Sequence, residues 1–233
     1  VDAFPVLRRI IERITGGESF YRSPTDMGVN RAGYGIVNDD VVSEAAKQEI
    51  LRRYFRYACE YLMGMTEGAT VERVRLLMDD LHLAEDDRVV VAPARRAASE
   101  AESTGKGHRG VYCGAAMELP DGSIVTGKNS ALFHASSALI LNAAKRLASF
   151  PDTIHLLPQS IVDSVGRLKM DILGGREVSL DLEETLVALS ISGATNPAAQ
   201  VALDGLTRLS GCEAHLSHMP TVGDEAGLRK LGV

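Results

Sequence analysis

The chain has 233 residues, enough to bury a full core and to form one large domain or two smaller ones. Its 45% apolar and 24% charged residues are ordinary globular composition, and its net charge of −6 lacks the basic footprint that broad nucleic-acid binding requires. No apolar run approaches the roughly 20 residues needed to span a bilayer and no signal-peptide pattern opens the chain, so neither nucleic acid nor a membrane is expected as a partner.

The chain opens on Val1-Asp2-Ala3-Phe4-Pro5, without Met, which reads as a fragment or a processed product. A first helix is expected from the stripe Val6, Leu7, Ile10, Ile11 and Ile14, with Pro5 in its first turn and Gly16 as its stop. Residues 19–38 have no clean period and many turn formers, so they read as a functional-looking loop. In that loop Asp26, Asn30 and Arg31 are candidate ligand-binding residues, with Asp26 and Arg31 bringing opposite charges. A long helix follows over about 40–65, carried by Val42, Ala46, Ile50, Tyr54, Tyr57, Ala58, Tyr61 and Met65 at steps of three and four. Thr70 is the expected cap of a third helix that turns Val71, Val74, Leu77, Met78 and Leu81 inward.

Of the five Phe and six Tyr, eight precede residue 62, and the composition then shifts to Ala, Val, Leu, Ser and Gly. A boundary is therefore expected near Asp86-Asp87-Arg88, separating an all-helical domain (1–88) from an α/β domain (89–233). In the second domain Val89 to Ala92 reads as a buried strand and 94–103 as a helix. Thr104 to Gly110 reads as a flexible basic loop in which Lys106, His108 and Arg109 could hold a phosphate. A hairpin follows through Asp121-Gly122, and a small-residue helix begins near His134. Strands are expected over 153–157 and 212–218, and helices over 161–173, 182–191, 197–209 and 224–231. Alternating strands and helices imply an α/β layered sheet.

Cys59, Cys113 and Cys212 are far apart and odd in number, which suits free thiols in a reducing compartment and a cytoplasmic location. Gly122 to Asn129 comes within one residue of a Walker A pattern, but Ser-Ile-Val-Thr inside it is a strand, whose pairing would consume the backbone donors a phosphate needs. Glu213 and His215 share one face of the last strand and are the candidate acid/base pair, with His218 pointing oppositely unless the strand has ended. A metal hydrolase using His215, His218 and a carboxylate is a third expectation. Asn196 caps the helix that Pro197 opens, and its turn offers backbone donors to a ligand.

The stretch Cys113 to Leu147 resembles the opening of a cytidine-deaminase-type core: hairpin, Asp-Gly turn, Thr-Gly-x-Asn and small-residue helix. Zinc deaminases carry His-x-Glu at that helix start and Pro-Cys-x-x-Cys at the next, because three ligands hold the metal and the Glu moves protons. Here the first motif reads His134-Ala135-Ser136 and the second is absent. The resemblance therefore implies the scaffold without its zinc, and no metal ligand is assigned. It places Asn129 where deaminases contact the ribose, with Ala131 where they carry Glu. His134 stands at the first zinc-ligand position and Ser136 at the acid/base position. On the structural reading, the small residues 135–138 let the helix pack closely on the sheet, with His134 near its cap.

Across the chain, Phe4-Pro-Val-Leu, Ser23 to Asn30, Lys47 to Phe55, Leu119-Pro-Asp-Gly, Ala194-Thr-Asn-Pro197 and Gly211 to His215 resemble a bacterial family known as domain of unknown function 1846. That resemblance implies the carboxy-terminal part of a longer protein, whose missing amino-terminal part carries a P-loop-like stretch. It also implies an all-helical domain followed by a cytidine-deaminase-like α/β/α layered domain. The expected function is part of an enzyme that binds a small nucleotide-like or phosphorylated metabolite, with no cofactor assigned. The competing expectation is a non-catalytic assembly or regulatory module for the missing part, as a homo-oligomer.

Overall fold

The computed structural model describes residues 10, 12–14, 16, 39–175 and 177–233. The first expected helix lies largely outside the described residues, and the loop with Asp26, Asn30 and Arg31 lies wholly outside them. The chain divides into two compact units, Val1–Arg88 and Val89–Val233.

In the first unit, α1 (Asp39–Leu62) packs on α2 (Gly68–Asp80). Helix α1 stops short of the expected Met65, and Gly64 turns the chain with φ 74°, a value only Gly adopts without penalty. Helix α2 starts earlier than the expected Thr70 cap, with Glu67 at its N-cap. Ile50 and Leu51 from α1 meet Val74 and Met78 from α2, flanked by Tyr54, Tyr57, Leu81 and Leu83. A 3-10 turn, Glu85–Asp87, is tied back to α1 by Tyr54 Oη donating to Glu85 Oε1 at 3.1 Å and Gln48 Nε2 donating to the Asp87 carbonyl at 3.1 Å.

The second unit opens with helix α3 (Val91–Ser103), where a strand over Val89–Ala92 was expected. Val90 and Val91 are fully buried, as a core strand would be, but they form the start of a helix. A short apolar run cannot distinguish the two, and Pro93 is tolerated because first-turn N–H groups have no intrahelical acceptor. The expected strand at 153–157 is also absent; that segment is turns and bends, with Leu156 buried and its carbonyl accepting from Ser192 Oγ at 2.6 Å.

Among the described residues three strands remain: β1 (Gly114–Glu118), β2 (Ile124–Lys128) and β3 (Glu213–Leu216). They form an antiparallel sheet in the order β2-β1-β3, with Ala115 opposite Gly127 and Leu216. The fold is thus mixed helix and sheet. The expected Asp-Gly hairpin joins β1 to β2, with Gly122 at φ 78° and its N–H donating to the Leu119 carbonyl at 2.8 Å. The Walker-like stretch is, for the most part, strand β2 itself.

Two glycines set how helices cover this sheet. A Cβ on Gly114 would fall on the backbone of α3 at Ala94 and Ala98. A Cβ on Gly127 would fall on the backbone of α4 (Ala135–Leu147) at Ala135 and Leu139. Side chains alternate across a strand, so the two helices lie on opposite faces. Helices α5 (Gln159–Arg167), α6 (Leu182–Gly193), α7 (Pro197–Gly205) and α8 (Val222–Leu231) complete the unit, and a π-helical turn, Leu168–Ile172, follows α5. The main core joins Met117, Leu139, Ile140, Leu189 and Leu209 on the α4 side of the sheet.

Asn196 sits at the N-cap of α7, where its side-chain oxygen accepts from the N–H groups of Ala198 at 3.0 Å and Ala199 at 3.4 Å. Asn196→Ala is expected to lower stability by about 1 kcal/mol, read by urea denaturation, with Asn196→Asp close to wild type. Equal losses in the two variants would contradict a capping role.

Candidate functional site

The N-termini of three helices converge on one carboxylate. Helix α8 begins with a capping box: Thr221 Oγ1 lies 3.3 Å from the Asp224 N–H, and the Asp224 carboxylate turns back to accept from Thr221. The same carboxylate accepts five hydrogen bonds in all: from His134 Nδ1 at 2.8 Å, Ser136 Oγ at 2.5 Å, Leu182 N at 3.1 Å, Thr221 Oγ1 at 2.7 Å and Thr221 N at 3.3 Å. His134 and Ser136 stand at the start of α4, and Leu182 is the first residue of α6.

Local chemistry explains the convergence. Phe133 bridges Leu180, and His134 N donates to the Leu180 carbonyl at 2.9 Å, which sets the α4 start beside the α6 start. Gly223 and Gly227 carry no side chains where a Cβ would strike the Asp181 carboxylate and the Leu182 side chain, so α8 docks closely on α6. Three helix N-termini favour negative charge at their junction.

Asp224 is 0% exposed, and burial alone would raise its pKa. The hydrogen bonds from His134, Ser136 and Thr221, with the charge of His134, overturn that and hold it well below the usual carboxylate range. For His134, burial opposes the charged form, but the hydrogen bond and charge of Asp224 prevail and its pKa is raised. Both directions favour an imidazolium–carboxylate pair. With Nδ1 on Asp224, His134 Nε2 has no protein hydrogen bond among the described residues.

A cavity of about 190 Å³ lies against this pair, lined by His108, Cys113, Asn129, His134, His218 and Asp224 among others. His108 Nε2 and His218 Nδ1 are both buried without a hydrogen-bond partner among the described residues. Each such atom costs about 1–3 kcal/mol unless something occupies it. Burial, reinforced by the nearby charge of His134, lowers the His218 pKa, although Asp224 works against this. Burial and the Asp224 charge push the Cys113 thiol up, so Cys113 is a thiol and not a ready nucleophile at neutral pH. Among the described residues, no group of three or more His, Cys, Asp or Glu is arranged to hold a metal ion.

The basic loop is more ordered than its composition implies. His108 and Val111 pair across a two-residue turn whose central residues, Arg109 (φ 51°) and Gly110 (φ 78°), both have positive φ, as a type I′ hairpin requires. Asn129 holds this turn against the sheet. Its Oδ1 accepts from Cys113 N at 2.8 Å and its Nδ2 donates to the Val111 carbonyl at 2.9 Å.

The candidates from sequence thus separate. Asn129 reaches the cavity wall with both ends of its amide engaged by backbone. Asn196 is a helix cap and does not line this cavity. Glu213 and His215 do share a face of β3, but Ala214 and Leu216 are the β3 residues packed on the main core. His215 stands opposite Ala116, which packs with Val90 and Ala94, so the pair faces α3 and does not line the cavity. His218 lies beyond the end of β3 and is the histidine of that segment that does.

Sequence reading missed Asp224 as the centre of the site. The signal available was Thr221-x-x-Asp224, a capping-box pattern, which announces a helix start and says nothing of residues some ninety positions earlier.

The family model described as "Domain of unknown function DUF1846, C-terminal" matches residues 86–233, and that described as "Domain of unknown function DUF1846, N-terminal" matches residues 1–82. The chain is 48% identical over 234 residues to a UPF0371 protein of Clostridium botulinum (Type A) and 47% identical over 233 residues to a UPF0371 protein of Clostridium tetani. Each match covers 100% of this chain and 46% of the relative, so the chain spans about half the length of the curated relatives it matches. The match of residues 1–82 to the model described as N-terminal corrects the expectation of a purely carboxy-terminal piece.

Proposed function

The chain belongs to the DUF1846 family, and from the geometry of its own residues we propose that the unit Val89–Val233 binds a small polar metabolite in the cavity beside His134, which exchanges a proton with it. One observation carries the reading: His134 Nδ1 is held 2.8 Å from a fully buried carboxylate while the ring lines a cavity. A carboxylate in that position fixes the imidazole tautomer and leaves Nε2 to work as acid or base. His134 and Asp224 replace Glu213 and His215 as the acid/base candidates.

The cavity's size limits the ligand. About 190 Å³ is below the ~300–1,000 Å³ of sites that enclose whole drug-sized molecules, so it takes a compact metabolite or the headgroup of a larger one. A nucleotide-like or phosphorylated metabolite fits that limit if only part of it enters. A zinc-free deaminase-like layering belongs to the same proposal, supported by the β1–β2 hairpin leading into α4 at His134.

The test is the titration of His134, followed by NMR of its ring. It is expected to titrate above the ordinary value of about 6.5, and Asp224→Asn is expected to bring it down. A raised folded pKa adds stability that is fully present below the unfolded value and is lost as the pH rises through the folded one. A thermal-shift series with nucleosides, nucleotides and sugar phosphates tests binding on the same chain. If His134 titrates at or below its ordinary value, or if no compound moves either Tm or the His134 resonance, the reading fails.

A further inference from the structure

We infer that the cavity is an anion site, in which His108 and His218 grip a phosphoryl or carboxylate group of the ligand. The inference rests on the reading that the cavity binds a small metabolite, and goes beyond it by assigning the ligand's charged end to two residues.

The first ground is two buried imidazole nitrogens, His108 Nε2 and His218 Nδ1, which have no hydrogen-bond partner among the described residues and belong to rings that line one cavity from separate parts of the chain. His108 comes from the hairpin turn before β1, and His218 follows β3. Buried polar atoms in folded proteins find a protein, water or ligand partner. An anion with two or more oxygens can serve both rings at once.

The second ground is that three acceptor side chains on the wall, those of Asn129, Ser130 and Asp224, are already engaged. Asn129 Oδ1 is held by Cys113 N, and Ser130 Oγ accepts from the N–H groups of Leu132 and Phe133 at 3.2 Å each. The Asp224 carboxylate is saturated by its five donors. The remaining carboxylate on the wall, Glu177, is exposed. The open nitrogens of His108 and His218 can each carry, in the appropriate neutral tautomer, the N–H that donates to a ligand. Arg109, on the same turn as His108, also lines the cavity, and His134 adds positive character beside His218.

The rest of the ligand has somewhere to go. Asn129 and Ser130 also line a larger groove of about 710 Å³, together with Lys106, Lys128 and Asn142. A charged headgroup in the histidine cavity would therefore leave its remainder over this groove.

The experiment follows the ring-nitrogen resonances of the whole chain as inorganic phosphate is added, with acetate and chloride in parallel. Saturable shifts of both His108 and His218 with phosphate, and none with chloride at equal ionic strength, are expected. Acetate separates the two anion classes: equal response marks a carboxylate site and a weaker one a phosphoryl site. His108→Gln and His218→Gln are each expected to weaken phosphate binding about tenfold, the equivalent of one lost hydrogen bond. Wild-type spectra in which phosphate moves neither ring beyond the chloride control would overturn the proposal without any variant. Phosphate affinity unchanged in both variants would overturn it as well. The two readings fail separately: an uncharged compound that moves only His134 keeps the metabolite site and removes the anion site. Phosphate shifts beside a His134 of ordinary titration keep the anion site and remove the acid/base role.

Discussion

Asp224→Ala is expected to lower stability by about 3–5 kcal/mol, the range found when one partner of a buried ion pair is removed. Few single residues here touch so much. The substitution leaves His134 Nδ1, Ser136 Oγ, Thr221 Oγ1 and the Leu182 N–H without their acceptor, all four at the starts of three different helices. Asp224→Asn keeps the shape but turns an NH₂ toward a ring of donors, so it is expected to recover only part of the loss. Ser136→Ala removes one of five donors and leaves no orphan on the carboxylate, so about 1 kcal/mol is expected. Urea denaturation reads all three. Asp224→Ala within about 0.5 kcal/mol of wild type would show that the junction contributes nothing to folding. The pH dependence has a definite sign. Because the folded pKa of Asp224 is depressed, its contribution is present above the ordinary carboxylate value of about 3.9 and is lost as the pH falls through the folded one.

Gly127→Ala is the second large expected effect, at about 3 kcal/mol or more. One methyl is added where the backbone of α4 at Ala135 and Leu139 already lies, and backbone cannot swing aside as a side chain can. Helix α4 would have to lift from the sheet, carrying His134 from Asp224, so the raised titration of His134 should be lost along with stability. Gly122→Ala provides the contrast. Its Cβ would meet nothing within 4 Å, and the penalty is only that of a non-glycine residue at φ 78°, about 1–2 kcal/mol. If the two alanines cost the same, close packing of helix on sheet is not what Gly127 provides.

Much of the local structure was legible because its signals are local. The steps of three and four in α1, the Asp121-Gly122 turn, the Asn196-Pro197 start and the small residues of α4 each depend on neighbours a few positions away. The two misread strands share one cause. At Val89–Ala92 and at 153–157, short apolar segments are buried, and burial produces the same residues whether the backbone is strand, helix or turn. For Glu213 and His215 the period was legible and the neighbour was not: alternation says the two share a face, and cannot say that α3 lies over it.

From sequence alone came the Asp121-Gly122 hairpin, the Asn196 cap and much of the helical content, because turn chemistry and periodicity are properties of a chain segment. Only tertiary structure could decide the site. His134, Ser136, Leu182 and Asp224 are joined by hydrogen bonds across 42 to 90 residues of chain. A hydrogen bond needs two atoms within about 3 Å, a condition set by how helices pack and by which glycines let them approach. No spacing along the chain encodes that distance.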